Sequence, residues 1–186
     1  MKTAKLSELL QSFFTERLMT QKQASPHTIA SYRDTFRLLL LYAEKRLKKS
    51  PADLTLGNLE APFITAFLEH LEKDRRMGAR SRNQRLAAIR SFFHYAAFEV
   101  PESSAIIDRV LAIPSKRFDR TLVEFLSIAE IGALLKAPDR HTWIGRRDHA
   151  LLAVAIQTGL RVSELIGLRQ DQVTLTMGPH IRCLGI

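Results

Sequence analysis

Residues 25–47 read SPHTIASYRDTFRLLLLYAEKRL. Ile29, Tyr32, Phe36, Leu39, Leu40, Ala43 and Leu47 recur three and four apart, which places them on one face of an α-helix. Ser25 suits the N-cap, because its hydroxyl can accept a hydrogen bond from a first-turn backbone N–H. Pro26 suits the first helical position, where an N–H is not needed. The stretch therefore predicts a long amphipathic helix, and such a helix must bury its apolar face against other elements.

The flanking sequence supplies them. Leu6, Leu9, Leu10, Phe13, Phe14 and Leu18 form an earlier helical stripe. After the polar loop KKSPADLTLGN, Pro62 can open a third helix with Phe63, Ile64, Phe67, Leu68 and Leu71 inward, and Gly78 breaks it. A fourth carries Leu86, Ile89, Phe93 and Ala96 to about Phe98. Four amphipathic helices with short connections predict a small bundle over residues 1–113. From 100 to 123 the periodicity fades, and Pro101, Pro114 and the charged SKRFDR suggest a linker, drawn at 114–126. Order resumes with the capping box Ser127-x-x-Glu130 and a helix carrying Ile128, Ile131, Leu134 and Leu135, which Pro138 ends. GRRDHALLAVAIQT is apolar on most sides and is expected to lie in a core. Gly159 supplies a left-handed stop, and a short helix spans 162–168. QVTLT, MGP and HIRCL then read as strand, turn, strand. The expected fold class is mainly α: a four-helix bundle, a linker, and a partial α+β unit over 127–186 that ends in a β-hairpin.

Composition limits the function. Hydrophobic residues make up 46% of the 186, enough for a packed core, which argues against disorder. No apolar run approaches the roughly 18–20 residues a membrane span needs. The N-terminal MKTAKLSELLQSFF is interrupted by polar residues and does not read as a secretory signal. A single cysteine, Cys183, excludes an internal disulfide or a cysteine-based metal site, so a cytoplasmic location is the default. Cys183 itself is expected to be a small buried residue on a strand. His27 and His149 are isolated, no metal-site spacing occurs, and no cofactor is called for.

Lysine and arginine total 28 against 19 acidic residues, a net of +9 shared by both halves of the chain. A basic folded protein suits a polyanion, nucleic acid first and an acidic membrane second. The densest segment is RRMGARSRNQR, with Arg75, Arg76, Arg80, Arg82 and Arg85, followed by Arg90. Arg80, Arg82, Arg85 and Arg90 are candidate phosphate or groove contacts, and Ser81, Asn83 and Gln84 can add hydrogen bonds. The alternative is a solvated basic face.

The second candidate site is TGLRVSELIGLR, residues 158–169. Arg161 stands where one helix has stopped and the next begins. Backbone N–H groups there favour an anion, and a guanidinium adds a two-pronged donor matched to phosphate oxygens. Glu164, three residues on, can fix the guanidinium plane and offset its burial. From the residues alone, a structural ion pair at a helix junction explains the pair equally well.

TGLRVSELIGLRQDQVTL closely resembles the first-arginine motif of the tyrosine recombinase (phage integrase) family. SPHTIASYRDTFRLLLLYA and RSRNQRLAAIRSFFHYA resemble the second and fourth helices of its core-binding domain, and FLSIAEIGALLKA resembles the start of its catalytic domain. The resemblance implies a SAM-like DNA-binding bundle over 1–113 and a catalytic-domain fragment over 127–186. It implies double-stranded DNA as the partner, with other recombinase protomers in reach and no membrane. It makes Arg161 the first catalytic arginine and Glu164 its supporting acid, and it selects Arg80, Arg82, Asn83, Arg85 and Arg90 as DNA contacts. The family cuts DNA with a tyrosine, helped by a His-x-x-Arg motif and a lysine on a β-hairpin. None of these is found: His180-Ile181-Arg182 has the wrong spacing, and Tyr32, Tyr42 and Tyr95 fall in the bundle. The expectation is a DNA-binding chain, truncated and catalytically incomplete as it stands, whose second part is unstable or exposes an apolar patch. The rivals are a fragment of an active recombinase and a truncated regulator that pairs with intact ones.

Overall fold

A computed structural model describes residues 5–119, 124–176 and 178–183. Part of the expected linker (120–123), the hairpin-turn residue Met177 and residues 184–186, which include the last residue of the expected second strand, lie outside the described residues. The chain divides into two compact units, Met1–Arg120 and Thr121–Ile186.

In the first unit, α1 (Leu6–Ser12) runs directly into a π-helical stretch, Phe13–Gln21. Leu6, Leu9, Leu10, Phe13 and Leu18 are all buried, so the predicted stripe survives the wider winding. Helix α2 (Pro26–Leu47) starts as its sequence dictates: Ser25 Oγ accepts the Thr28 N–H at 3.2 Å, and Pro26 occupies the first turn. Two 3₁₀ turns, Pro51–Asp53 and Leu56–Leu59, lead into α3 (Ala61–Lys73). The break before α4 (Ala79–Glu99) differs from expectation. Arg76 takes the left-handed conformation (φ 52°), whereas Gly78 is the extended residue that opens α4.

The segment in which periodicity fades holds a further helix, α5 (Ser104–Leu111), after a 3₁₀ turn at Pro101–Ser103. Ile107, Val110 and Ile113 are buried in the common core. Only two apolar turns face inward, which is too short a repeat to stand out in the sequence. An aromatic cluster lies at the centre of the unit. Phe13 meets Phe92 at 5.5 Å, Phe36 meets Phe92 at 5.3 Å, and Phe92 meets Phe93 at 5.5 Å, all edge-to-face.

The second unit contains α6 (Ile128–Lys136), α7 (Trp143–Thr158) and α8 (Val162–Ile166). A 3₁₀ turn at Gln170–Gln172 leads into the antiparallel pair β1 (Val173–Thr174) and β2 (His180–Ile181). The Ser127 capping box is formed: Ser127 N–H donates to Glu130 Oε2 at 2.7 Å and Glu130 N–H to Ser127 Oγ at 3.3 Å. Gly159 ends α7 at φ 67°, as expected.

Two expectations fail here. Helix α7 does not lie in a core: Leu151, Leu152, Val154 and Ile156 are half-buried, and Gly145 is the one buried residue among those described in this unit. Nothing among the described residues covers the outer half of its apolar surface. Cys183 is exposed and not on a strand: β2 ends at Ile181, so the residue lies two positions past the paired ribbon.

Candidate nucleic-acid interface and phosphate site

Helix α4 presents the basic segment. Its first turn follows a tight reversal at Arg76, so Arg75, Arg76 and Arg80 cluster around one end of the helix, and all three are exposed. Gln84 is also exposed and donates to Ser31 Oγ at 3.3 Å.

The other sequence candidates on α4 bond to their own chain. Arg85 donates to the Ser31 carbonyl at 3.1 Å, to Thr35 Oγ1 at 3.0 Å and to Asp34 Oδ2 at 2.5 Å. These contacts form a polar seam between α2 and α4. Partial burial pushes the Asp34 carboxyl up, but the hydrogen bond from Arg37 and the charge and hydrogen bond of Arg85 outweigh it, and the net position is below the ordinary 3.8. Arg82 is 5% exposed and donates to the Pro114 carbonyl. Asn83 bonds to the backbone of Lys116, and Arg90 to the Ile113 carbonyl. Of the five sequence candidates, Arg80 alone is exposed and has no hydrogen-bond or ion-pair partner among the described residues. The acceptors for Arg82, Asn83 and Arg90 come from residues 113–116, just after a helix that left no signal in the sequence.

The Arg161–Glu164 pair closes as the spacing predicts. Arg161 is the N-cap of α8, and its backbone N–H donates to Glu164 Oε2 at 2.7 Å. Arg161 Nη1 donates to Glu164 Oε1 at 3.0 Å. One carboxylate thus caps the helix and fixes the guanidinium. The backbone hydrogen bond, then the side-chain hydrogen bond and the charge of Arg161, hold the Glu164 carboxyl below its usual 4.5. The expected burial of the arginine is not found. The Arg161 side chain is 77% exposed and that of Glu164 11%, so the carboxylate is the covered partner. The guanidinium is restrained at one nitrogen and leaves its remaining donors to solvent.

The three tyrosines pack. Tyr32 stacks on Phe13 at 6.3 Å, and Tyr42 lies 5.4 Å from Phe63 and 5.0 Å from the His70 ring. Tyr95 is 6% exposed, and its phenol is raised above 10.0 by burial, then by Glu99 and Glu16. No helix among the described residues is long and apolar enough to cross a membrane.

Known proteins match this chain along nearly its whole length. The family model for the phage integrase N-terminal SAM-like domain matches residues 12–99. A Sinorhizobium fredii protein named as an integrase/recombinase, y4rC, is 61% identical over 184 residues, 99% of this chain and 55% of the relative. The tyrosine recombinase XerC of Myxococcus xanthus is 35% identical over 181 residues, 93% of this chain and 56% of the relative. The tyrosine recombinase XerD of Listeria innocua is 30% identical over 165 residues, 89% of this chain and 53% of the relative. The chain therefore spans about half the length of the curated relatives it matches. No solved structure matches it.

Proposed function

The chain belongs to the tyrosine recombinase (phage integrase) family, and from that premise we propose that it binds double-stranded DNA through two basic sites, one on each unit. The observation that carries the reading is the Arg161–Glu164 pair. Its guanidinium is held by a carboxylate that also caps α8, and it faces solvent with donors to spare. An arginine serving only as an internal brace gains little from such exposure, since surface ion pairs contribute about 0–1 kcal/mol. A planar donor pre-set for two phosphate oxygens accounts for the geometry better.

On the first unit, the exposed Arg75, Arg76 and Arg80 form the contact face. Arg82, Asn83, Arg85 and Arg90 serve it indirectly, by fixing α4 against α2 and the segment after α5. Arg161 is the phosphate grip and Glu164 its support. These residues bind DNA and do not cleave it by themselves, because the 186 residues hold no His-x-x-Arg and their tyrosines are packed. The relatives extend to nearly twice this length, which favours a second reading: sequence outside these residues supplies the rest of an active site, in this chain or in a pairing recombinase protomer.

Duplex binding by fluorescence anisotropy across a salt series is the test. Affinity should fall steeply with salt, and Arg80→Ala should weaken every duplex alike while reducing the salt slope by about one. Binding that ignores salt, or a wild-type slope in Arg80→Ala, removes that face from the argument. A nicked duplex that traps covalent protein–DNA adducts checks inertness, and an adduct formed by this chain alone contradicts it.

A further inference from the structure

The basic row of α4 is split between solvent and the chain's own backbone. Residues 113–116 follow α5, have no regular secondary structure and run beside α4. Arg82 Nη1 donates to the Pro114 carbonyl at 3.0 Å. Asn83 makes a two-way bond to one residue: its Nδ2 donates to the Lys116 carbonyl at 2.7 Å, and its Oδ1 accepts the Lys116 N–H at 2.9 Å. Arg90 donates to the Ile113 carbonyl and to Ser115 Oγ. Lys116 Nζ reaches both oxygens of Glu72, on α3, at 2.8 and 3.0 Å.

Two features separate this from an incidental contact. Four backbone groups of residues 113–116, the carbonyls of Ile113, Pro114 and Lys116 and the Lys116 N–H, are paired with side chains 23–33 positions earlier in sequence, the way an ordered element is satisfied and not the way a solvated linker is. Arg82 and Arg90 also bury their Nε atoms with no hydrogen-bond partner. Such burial is costly; the carbonyls of this segment offset it, joined for Arg82 by the Glu72 carboxylate 4.0 Å from its Nε.

We infer that Arg82, Asn83 and Arg90 form an intramolecular latch that seats residues 113–116 along α4, so that the connection to the following unit begins at Arg117. The latch divides α4 into a row turned to its own chain and a row, led by Arg80, left to an external polyanion. Opening it frees residues 114–116, which lengthens the connection by about 10 Å at full extension, while Ile113 stays in the core. A longer tether lowers the effective concentration of one unit at a duplex held by the other. That consequence rests on the DNA reading, whereas the latch does not.

Amide exchange read by NMR on the full chain is the test. The Lys116 amide should exchange more slowly than that of Arg117. Asn83→Leu should speed Lys116 exchange by about tenfold or more while the Leu86 and Phe92 amides keep their protection. Arg90→Met should hasten tryptic cleavage after Lys116 in the same way. A Lys116 amide that exchanges like an unstructured peptide in the unaltered chain, or that Asn83→Leu leaves unchanged, overturns the latch. So does loss of duplex affinity in Arg90→Met with tryptic cleavage unchanged, since the arginine then serves nucleic acid. If the unaltered chain binds no duplex, the DNA reading falls, and the latch is judged on the exchange data alone.

Discussion

Helix α2 of the first unit and helix α7 of the second are made alike and end up in different surroundings. Each has a hydroxyl N-cap, Ser25 or Thr142, and each ends at a residue in the left-handed conformation, Lys48 or Gly159. Each carries an apolar face. Helix α2 buries Thr35, Phe36, Leu38, Leu39 and Ala43, whereas α7 buries Gly145 alone. Beside α7 lies an open, mostly apolar groove of about 570 Å³ lined by Leu151, Val154, Leu165, Leu168, Val173 and Ile181. Trp143 and Ile144 on α7 and Val162 and Ile166 on α8 are exposed as well. Caps and periodicity make a helix, but a core also needs surface on the opposite side, and only the first unit supplies it.

The largest effect that sharpens this contrast is a truncation in each unit. Phe92→Ala removes the ring at the centre of the aromatic cluster and should cost about 3–5 kcal/mol in denaturant unfolding. Leu151→Ala in the half-buried face of α7 should cost under about 1 kcal/mol. Equal costs would mean the second unit has a core of its own.

Limited proteolysis is the next test. Cleavage should begin between the units, after Arg117, and in the second unit, leaving an N-terminal piece at least about tenfold longer-lived. Even digestion of both units would erase the distinction.

Gly145→Ala should produce a smaller, local loss of about 1–3 kcal/mol. A Cβ there would stand 1.9 Å from the Asp139 carbonyl oxygen, so the first turn of α7 must shift. Fraying reported by amide exchange at residues 143–147 checks it.

The smallest effect is on pH. Glu164 sits below 4.5 because it accepts from Arg161, so its capping is fully present above that value and is lost as pH falls through the lower folded value. Helix α8 should fray in acid, seen in the Arg161 amide shift. Asp34, held below 3.8, loses the α2–α4 seam in the same direction, but the aromatic core should keep the first unit folded. An α8 indifferent to acid would show that the pair is not the cap.

The helices were legible because each is a local decision. Ser25, Pro26, the Ser127 box and Gly159 act through neighbours within four residues, so their roles follow from spacing alone. The pairing of Arg161 with Glu164 is local in the same sense, and its spacing predicted the observed bond. Helix α5 escaped notice because three inward residues, Ile107, Val110 and Ile113, make too little period to register. Gly145 escaped because its constraint comes from the turn that precedes α7 and not from the helix.

Tertiary structure decided which charges remain available. Nothing in RRMGARSRNQR distinguishes Arg80 from Arg82, since both are arginines on one helix two residues apart. The first is exposed and the second is 5% exposed because residues 113–116, thirty positions on, return to place their carbonyls beside it. The sequence determined the helices, the basic character and the guanidinium–carboxylate pair, all set by local chemistry. Which arginines bond inward, and which apolar face stays uncovered, depended on contacts between distant parts of the chain, which no local pattern encodes.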